Sequence, residues 1–185
     1  MTDTLPRTET AVLDHWVNGA PWAGASERTG QVFNPALGTV QKEVRFASRE
    51  DVGEAVDAAS AAWAQWRDAS IAKRQGVLFA FRELLNARKE ELAEILTSEH
   101  GKVLSDAHGE VQRGIEVIEY VCGIPELLKG DFSEQASSGI DDFSIRQPLG
   151  VVAGITPFNF PAMVPIWMCA NAMACGNTFL SLIHI

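Results

Sequence analysis

Residues 150–161 read GVVAGITPFNFP, an apolar run that stops at a Thr-Pro-Phe-Asn-Phe-Pro turn and leads into a helical stretch. Leu149 to Ile155 is continuously apolar and predicts a strand; Ala162 to Cys175 predicts a helix, and Asn177 to Ile183 a second extended piece. Pro165 agrees with a helix start at Ala162 or Met163, because proline is tolerated where its missing N–H would be unpaired anyway. Strand, helix, strand makes one βαβ unit and hence a parallel sheet. Open α/β sheets bind ligands beyond the carboxyl ends of their strands, so the chemistry is expected at the 156–161 turn.

Upstream, Trp16 to Gly38 is a series of short apolar pieces punctuated by Asn-Gly, Gly-Ala-Ser and Asn-Pro, which predicts extended, hairpin-like structure. Ser48 stands three residues before Asp51 in a capping-box-like pattern, and Val52, Ala55, Val56, Ala59, Trp63 and Trp66 follow at helical spacing. A second helix is expected from Ser70, carrying the stripe Leu78, Phe81, Leu85, Leu92, Ile95 and Leu96, with Gly101 as its C-cap. A third carries Val103, Ala107, Val111, Ile115, Ile118 and Cys122. Its internal Gly109 and Gly114 suggest that something approaches the backbone closely there. Gly130 to Ser138 reads as a loop, and Gly139 to Pro148 as a short exposed strand. The βαβ unit needs further strands to cover its edges, so the chain reads as one that stops early.

Composition narrows the function classes. Acidic residues outnumber basic ones, 24 to 15, for a formal charge of −9 over 185 residues, and no Lys/Arg cluster marks a nucleic-acid surface. No stretch reaches the ~18 unbroken apolar residues of a membrane span, and MTDTLPRTETAVLD has no apolar core of a secretory signal. Cys122, Cys169 and Cys175 lack metal-type spacing and read as reduced thiols of a cytoplasmic protein. His15, His100, His108 and His184 form no ligand pair, so no metal site is expected.

Two residues stand out, each with a plain alternative. Asn159, between Phe158 and Phe160, is either an oxyanion donor or the N-cap of the following helix. Arg113, beside Gly114, is either a fork for a substrate carboxylate or the partner of Glu110 or Glu116 in an exposed helical ion pair. Thr156 and Phe158 could offer a wall to a cofactor or simply cover the core. No G-x-G-x-x-G follows the strand, so an ordinary dinucleotide-binding loop is not indicated.

Taken in order, HWVNG, FNPALG, SEHGKVLSDAHGEVQRGIEVIEY, CGIPELLKGDFSEQ, RQPLGVVAGITPFNFPAMVPIWM and ACGNTF resemble the N-terminal portion of an aldehyde dehydrogenase, most closely the CoA-acylating methylmalonate-semialdehyde dehydrogenases. The resemblance runs from about His15 to Phe179. It implies an α/β fold: the N-terminal part of an aldehyde-dehydrogenase-type NAD-binding domain, a helical layer plus the start of a Rossmann-like parallel sheet, truncated. Residues 1–132 would be the helical part, 133–149 a β arm used in oligomerisation, and 150–185 the first, incomplete βαβ unit.

The resemblance also implies roles. Asn159 would bind the oxyanion formed when a cysteine attacks the aldehyde, Thr156 and Phe158 would contact NAD, and Arg113 would hold the carboxylate of malonate or methylmalonate semialdehyde. The implied reaction is NAD-dependent oxidation with loss of carbon dioxide and acyl transfer to CoA, giving propionyl-CoA or acetyl-CoA in valine, pyrimidine and inositol catabolism. The full-length enzyme would be a homo-oligomer, dimer or tetramer. Where the family continues into L-K-P-S-E, this chain reads Leu180-Ser181-Leu182-Ile183-His184-Ile185, and the lysine position falls on Leu182. None of the three cysteines matches the family nucleophile, so the 185-residue chain is expected to be inactive alone. A non-catalytic truncated module, or another aldehyde dehydrogenase, is the alternative.

Overall fold

The computed structural model describes residues 11–183; the leader reading of residues 1–10, the start of the first unit and His184 lie outside the described residues. Five short strands come first: β1 (Ala11–Leu13), β2 (His15–Val17), β3 (Ala20–Trp22), β4 (Thr29–Asn34) and β5 (Thr39–Arg45). β2 and β3 form the expected hairpin around Asn18-Gly19, both at positive φ, the conformation that favours Asn-Gly in two-residue turns. β5 pairs antiparallel with β4 and parallel with β1, giving a three-stranded sheet.

α1 (Arg49–Arg67) begins with the predicted capping box. Asp51 N donates to Ser48 Oγ at 3.0 Å, and Ser48 N to the Asp51 carboxylate at 2.7 Å. The same carboxylate, 1% exposed, also accepts from Ala25 N at 2.7 Å, so one side chain caps the helix and ties down the 24–26 loop. These backbone donors, Ala25 foremost and then Ser48, hold its pKa down at about 2.

The single helix expected from Ser70 to Gly101 is two, α2 (Ile71–Ala87) and α3 (Lys89–His100), broken at Arg88 (φ −109°, ψ 18°). The break falls within Asn86–Glu91, where the apolar stripe lapses for more than a turn; α3 then packs against α4 (Leu104–Val121). Gly101, at φ +83°, is the C-cap predicted, now of α3. Ile95 leaves its expected stripe and is exposed, whereas Leu78, Leu85 and Leu96 are buried.

α4 is the centre of the helical layer. Ala107, Val111, Ile115, Ile118 and Val121 on its apolar face are all essentially inaccessible and form one core with α2, α3 and the later helices. Gly114 is placed as expected: a Cβ there would lie 2.9 Å from Ile166 Cδ1. Gly109 is not, since a Cβ would meet nothing within 4 Å.

A short α5 (Ile124–Leu127) follows. The loop expected over Gly130–Ser138 is instead a strand, β6 (Phe132–Ser137), paired antiparallel with β7 (Ile140–Phe143). The strand expected to reach Pro148 ends at Phe143. Every residue of both strands is exposed, so there is no buried face to impose an apolar alternation on the sequence.

The βαβ unit is present as read. β8 (Val151–Thr156) lies parallel to β9 (Thr178–Ile183), from Val151 opposite Thr178 to Thr156 opposite Ile183, joined by α6 (Met163–Ala174). α1 and α6 both pack on this pair.

Asp51 has a pH consequence whose sign is set by its depressed pKa. Its contribution to stability is fully present above its ordinary pKa of 3.8 and is lost as the pH falls through about 2. Thermal midpoints of the native chain and Asp51→Asn should therefore differ most above pH 4 and converge as the pH falls towards 2; a constant gap would remove Asp51 from this role.

Candidate functional site

The 156–161 turn sits where β8 ends and α6 begins, against the middle of α4. The free amides at the start of α6, those of Ala162, Met163 and Val164, need acceptors. Asn159 does not supply one. Ala162 N and Met163 N donate to Glu110 Oε1 at 2.8 and 3.1 Å, Val164 N donates to Phe160 O at 3.4 Å, and Pro165 has no N–H to satisfy. The cap is a carboxylate brought from another helix, on the end where the helix dipole favours negative charge.

Glu110 is 1% exposed, and its other oxygen pairs with Lys102 Nζ, whose side chain is 10% exposed. Lys102 Nζ also donates to Asn159 O at 3.3 Å and lies 4.8 Å from the centre of the Phe160 ring. One buried ion pair thus anchors both the start of α6 and the backbone of the turn. Neither Glu110 as cap nor Lys102 was anticipated. The available signal was Glu110's place among Ala107, Val111, Gly114 and Ile115 on the buried face of α4, since a carboxylate there requires a partner.

With capping done by Glu110, the Asn159 side chain is exposed and has no hydrogen-bond partner among the described residues. Phe158 is 72% exposed. Thr156 is buried, and its hydroxyl donates to Leu182 O at 3.3 Å, which spends it on holding the ends of β8 and β9 together.

Arg113 lies on the exposed side of α4, three residues beyond Glu110. The ion pair offered as its plain alternative does not form: Glu110 is committed to Lys102 and α6, while Glu116 accepts from Gln112 at 3.3 Å. Among the described residues the Arg113 guanidinium has no carboxylate partner. Its backbone carbonyl accepts from Trp167 Nε1 at 3.3 Å, so Arg113 and α6 are bound to the same α4–α6 seam that Gly114 lets close.

Burial pushes the Cys169 thiol up, and burial followed by the nearby Glu119 pushes Cys122 up; neither is poised as a thiolate. Among the described residues no group of three or more His, Cys, Asp or Glu could hold a metal, and no helix is long and apolar enough to cross a membrane. Leu182, at the expected lysine position, is half-buried in β9 opposite Ile155 and brings no charge to the crevice. A cavity of about 680 Å³ lies away from the turn, between α1, the β2–β3 hairpin, α6 and the start of β9; Cys169 lines it, but Thr156, Phe158, Asn159 and Arg113 do not.

The model of the aldehyde dehydrogenase family matches residues 22–181. Malonate-semialdehyde dehydrogenase 1 of Geobacillus kaustophilus is 46% identical over 177 residues, which is 96% of this chain and 36% of that protein. The malonate-semialdehyde dehydrogenase of Pseudomonas aeruginosa is 48% identical over 168 residues, 91% of this chain and 34% of its own length. The crystal structure of methylmalonate-semialdehyde dehydrogenase from Oceanimonas doudoroffii superposes with a TM-score of 0.91 at 46% identity, covering 95% of this chain and 36% of that one. The chain therefore spans about a third of the length of the curated relatives it matches.

Glu110→Ala removes the cap of α6 and strands the Lys102 charge; the expected loss is about 3–5 kcal/mol of unfolding free energy, measured by denaturant titration. Glu110→Gln, which keeps an acceptor for the two amides, should lose less. Equal losses would mean that the amide contacts contribute nothing.

Proposed function

This chain belongs to the aldehyde dehydrogenase family, and on that premise we propose that it forms part of a malonate- or methylmalonate-semialdehyde dehydrogenase. In this reading it positions the aldehyde oxygen, the substrate carboxylate and one wall of the cofactor crevice. The observation that carries the reading is the unspent amide of Asn159, left free because Glu110 caps α6 in its place.

Held by its backbone to Lys102, Asn159 offers an N–H donor to the aldehyde oxygen as negative charge builds on it. Such a preorganised donor lowers the barrier because it needs no reorientation during the reaction. Arg113 supplies an unpaired guanidinium whose two parallel N–H groups match a carboxylate, which would separate a semialdehyde acid from an uncharged aldehyde. The names of the relatives, malonate- and methylmalonate-semialdehyde dehydrogenases, support that substrate class.

The turn suits a nicotinamide cofactor: Phe158 offers an exposed ring face, and Thr156 keeps the strand ends together beneath it. A related structure, from Sinorhizobium meliloti, at 48% identity and a TM-score of 0.93, is a complex with NAD. NAD, when bound, supplies the hydride acceptor. Acyl transfer to CoA and decarboxylation belong to the same reading, through similarity to the acylating enzymes. The β6–β7 hairpin, with Phe132, Ile140 and Phe143 exposed, supports a role as an oligomer arm.

None of the three thiols in the chain serves as nucleophile in this reading, so purified chain given NAD, CoA and semialdehyde should form no NADH; steady turnover would refute it. The site assignments are tested by grafting this chain in place of the matching third of the Geobacillus kaustophilus enzyme. In the active chimera, Asn159→Ala should lower kcat by about 100- to 1,000-fold with a smaller effect on KM. Arg113→Leu should raise KM for malonate semialdehyde and leave an uncharged aldehyde unaffected; an equal change for both would overturn the carboxylate role.

A further inference from the structure

On the side of the molecule where the arm rejoins the parallel sheet, Arg67, Arg74 and Arg146 line one cavity of about 500 Å³ together with Trp63, Asp68 and Gln147. Three guanidiniums face one carboxylate there, in a chain whose formal charge is −9. We propose that this cavity is a binding site for a phosphate-type oxyanion. No part of the proposal depends on the dehydrogenase reading, and the cavity contains none of the residues of the 156–161 turn.

Arg74 carries the proposal furthest. It is 7% exposed, yet it has no carboxylate partner among the described residues. Its Nη1 donates to Ala174 O at 2.9 Å, and its buried Nε has no partner. A buried cation left with one carbonyl and the partial charge of a helix end is incompletely compensated, and burial makes that costly. Trp63 adds a second buried donor without a partner, its Nε1.

The neighbours add positive charge and open donors. Arg67 lies 5.1 Å from the centre of the Trp63 ring and gives Nε to Asp68 at 3.1 Å. Arg146 gives Nε to Lys129 O at 3.2 Å. The terminal nitrogens of Arg67 and Arg146 have no acceptor among the described residues. A planar carboxylate is saturated by one or two guanidinium forks, whereas the oxygens of a phosphate can take bonds from three. Gly176 leaves room for this arrangement, since a Cβ there would lie 2.6 Å from Arg74 Nη1.

The test is calorimetric titration of the 185-residue chain with sodium pyrophosphate, inorganic phosphate and ADP, with sodium chloride at matched ionic strength as the reference. Saturable binding is expected, weakened about tenfold or more by Arg67→Gln and by Arg146→Gln. Both side chains are exposed, and circular dichroism of the two variants should show the native fold. Tighter binding of ADP than of inorganic phosphate would identify an organic phosphate as the ligand, and the reverse a free oxyanion; either supports the site provided the arginine variants weaken it. No saturable binding beyond the chloride reference, or binding unchanged in both variants, would overturn the proposal.

Discussion

An apolar helix with both of its ends buried against protein is possible only if other elements satisfy its terminal amides and carbonyls, and that requirement organises this structure around α6. At its start, the Glu110 carboxylate takes two amides, Phe160 O a third, and Pro165 has none to offer. At its end, Asn171 O accepts from Cys175 N, Ala172 O from Asn177, Met173 O from Trp66 Nε1 and Ala174 O from Arg74. An anion thus stands at the amino end and a cation at the carboxyl end, as the helix dipole favours. The residues that do this come from α1, α2, α4 and the segment just before β9, so the helical layer and the parallel pair are joined by α6 rather than merely stacked.

The site inherits its geometry from the same requirement. Because Glu110 reaches across from α4, the asparagine of the turn is released from the capping task that its position would otherwise suggest. Lys102 neutralises Glu110 and holds the turn by the Asn159 carbonyl and the Phe160 face, so the ion pair that secures the helix also orients the turn. Gly114 allows α4 and α6 to approach closely enough for these bonds to form.

Legibility in the sequence tracked burial. The βαβ unit, α1 with its capping box and the α4 stripe were readable because each buries one face or carries a local cap, which imposes a period on the residues. The β6–β7 arm buries nothing, imposes no period and read as a loop followed by an overlong strand. The division of α2 from α3 left only a lapse in the apolar stripe around Arg88, and the helical polar residues on either side masked it. At the site, Asn159, Thr156, Phe158 and Arg113 were visible as residues, but Glu110 was read only as a surface partner for Arg113.

The sequence by itself determined α1, α4 and the βαβ unit in their order, the turn that ends β8, and the small residue at 114 that permits a close helix crossing. All of these follow from interactions within a few residues, or from a periodicity that a single chain segment must carry. Which side chain caps α6, and therefore which remains free at the turn, was decided only by tertiary structure. Glu110 lies 52 residues from the amide it receives, and no local rule links them. A buried carboxylate must find donors and a buried helix end must find acceptors; packing α4 against α6 satisfies both with one contact and leaves Asn159 unspent.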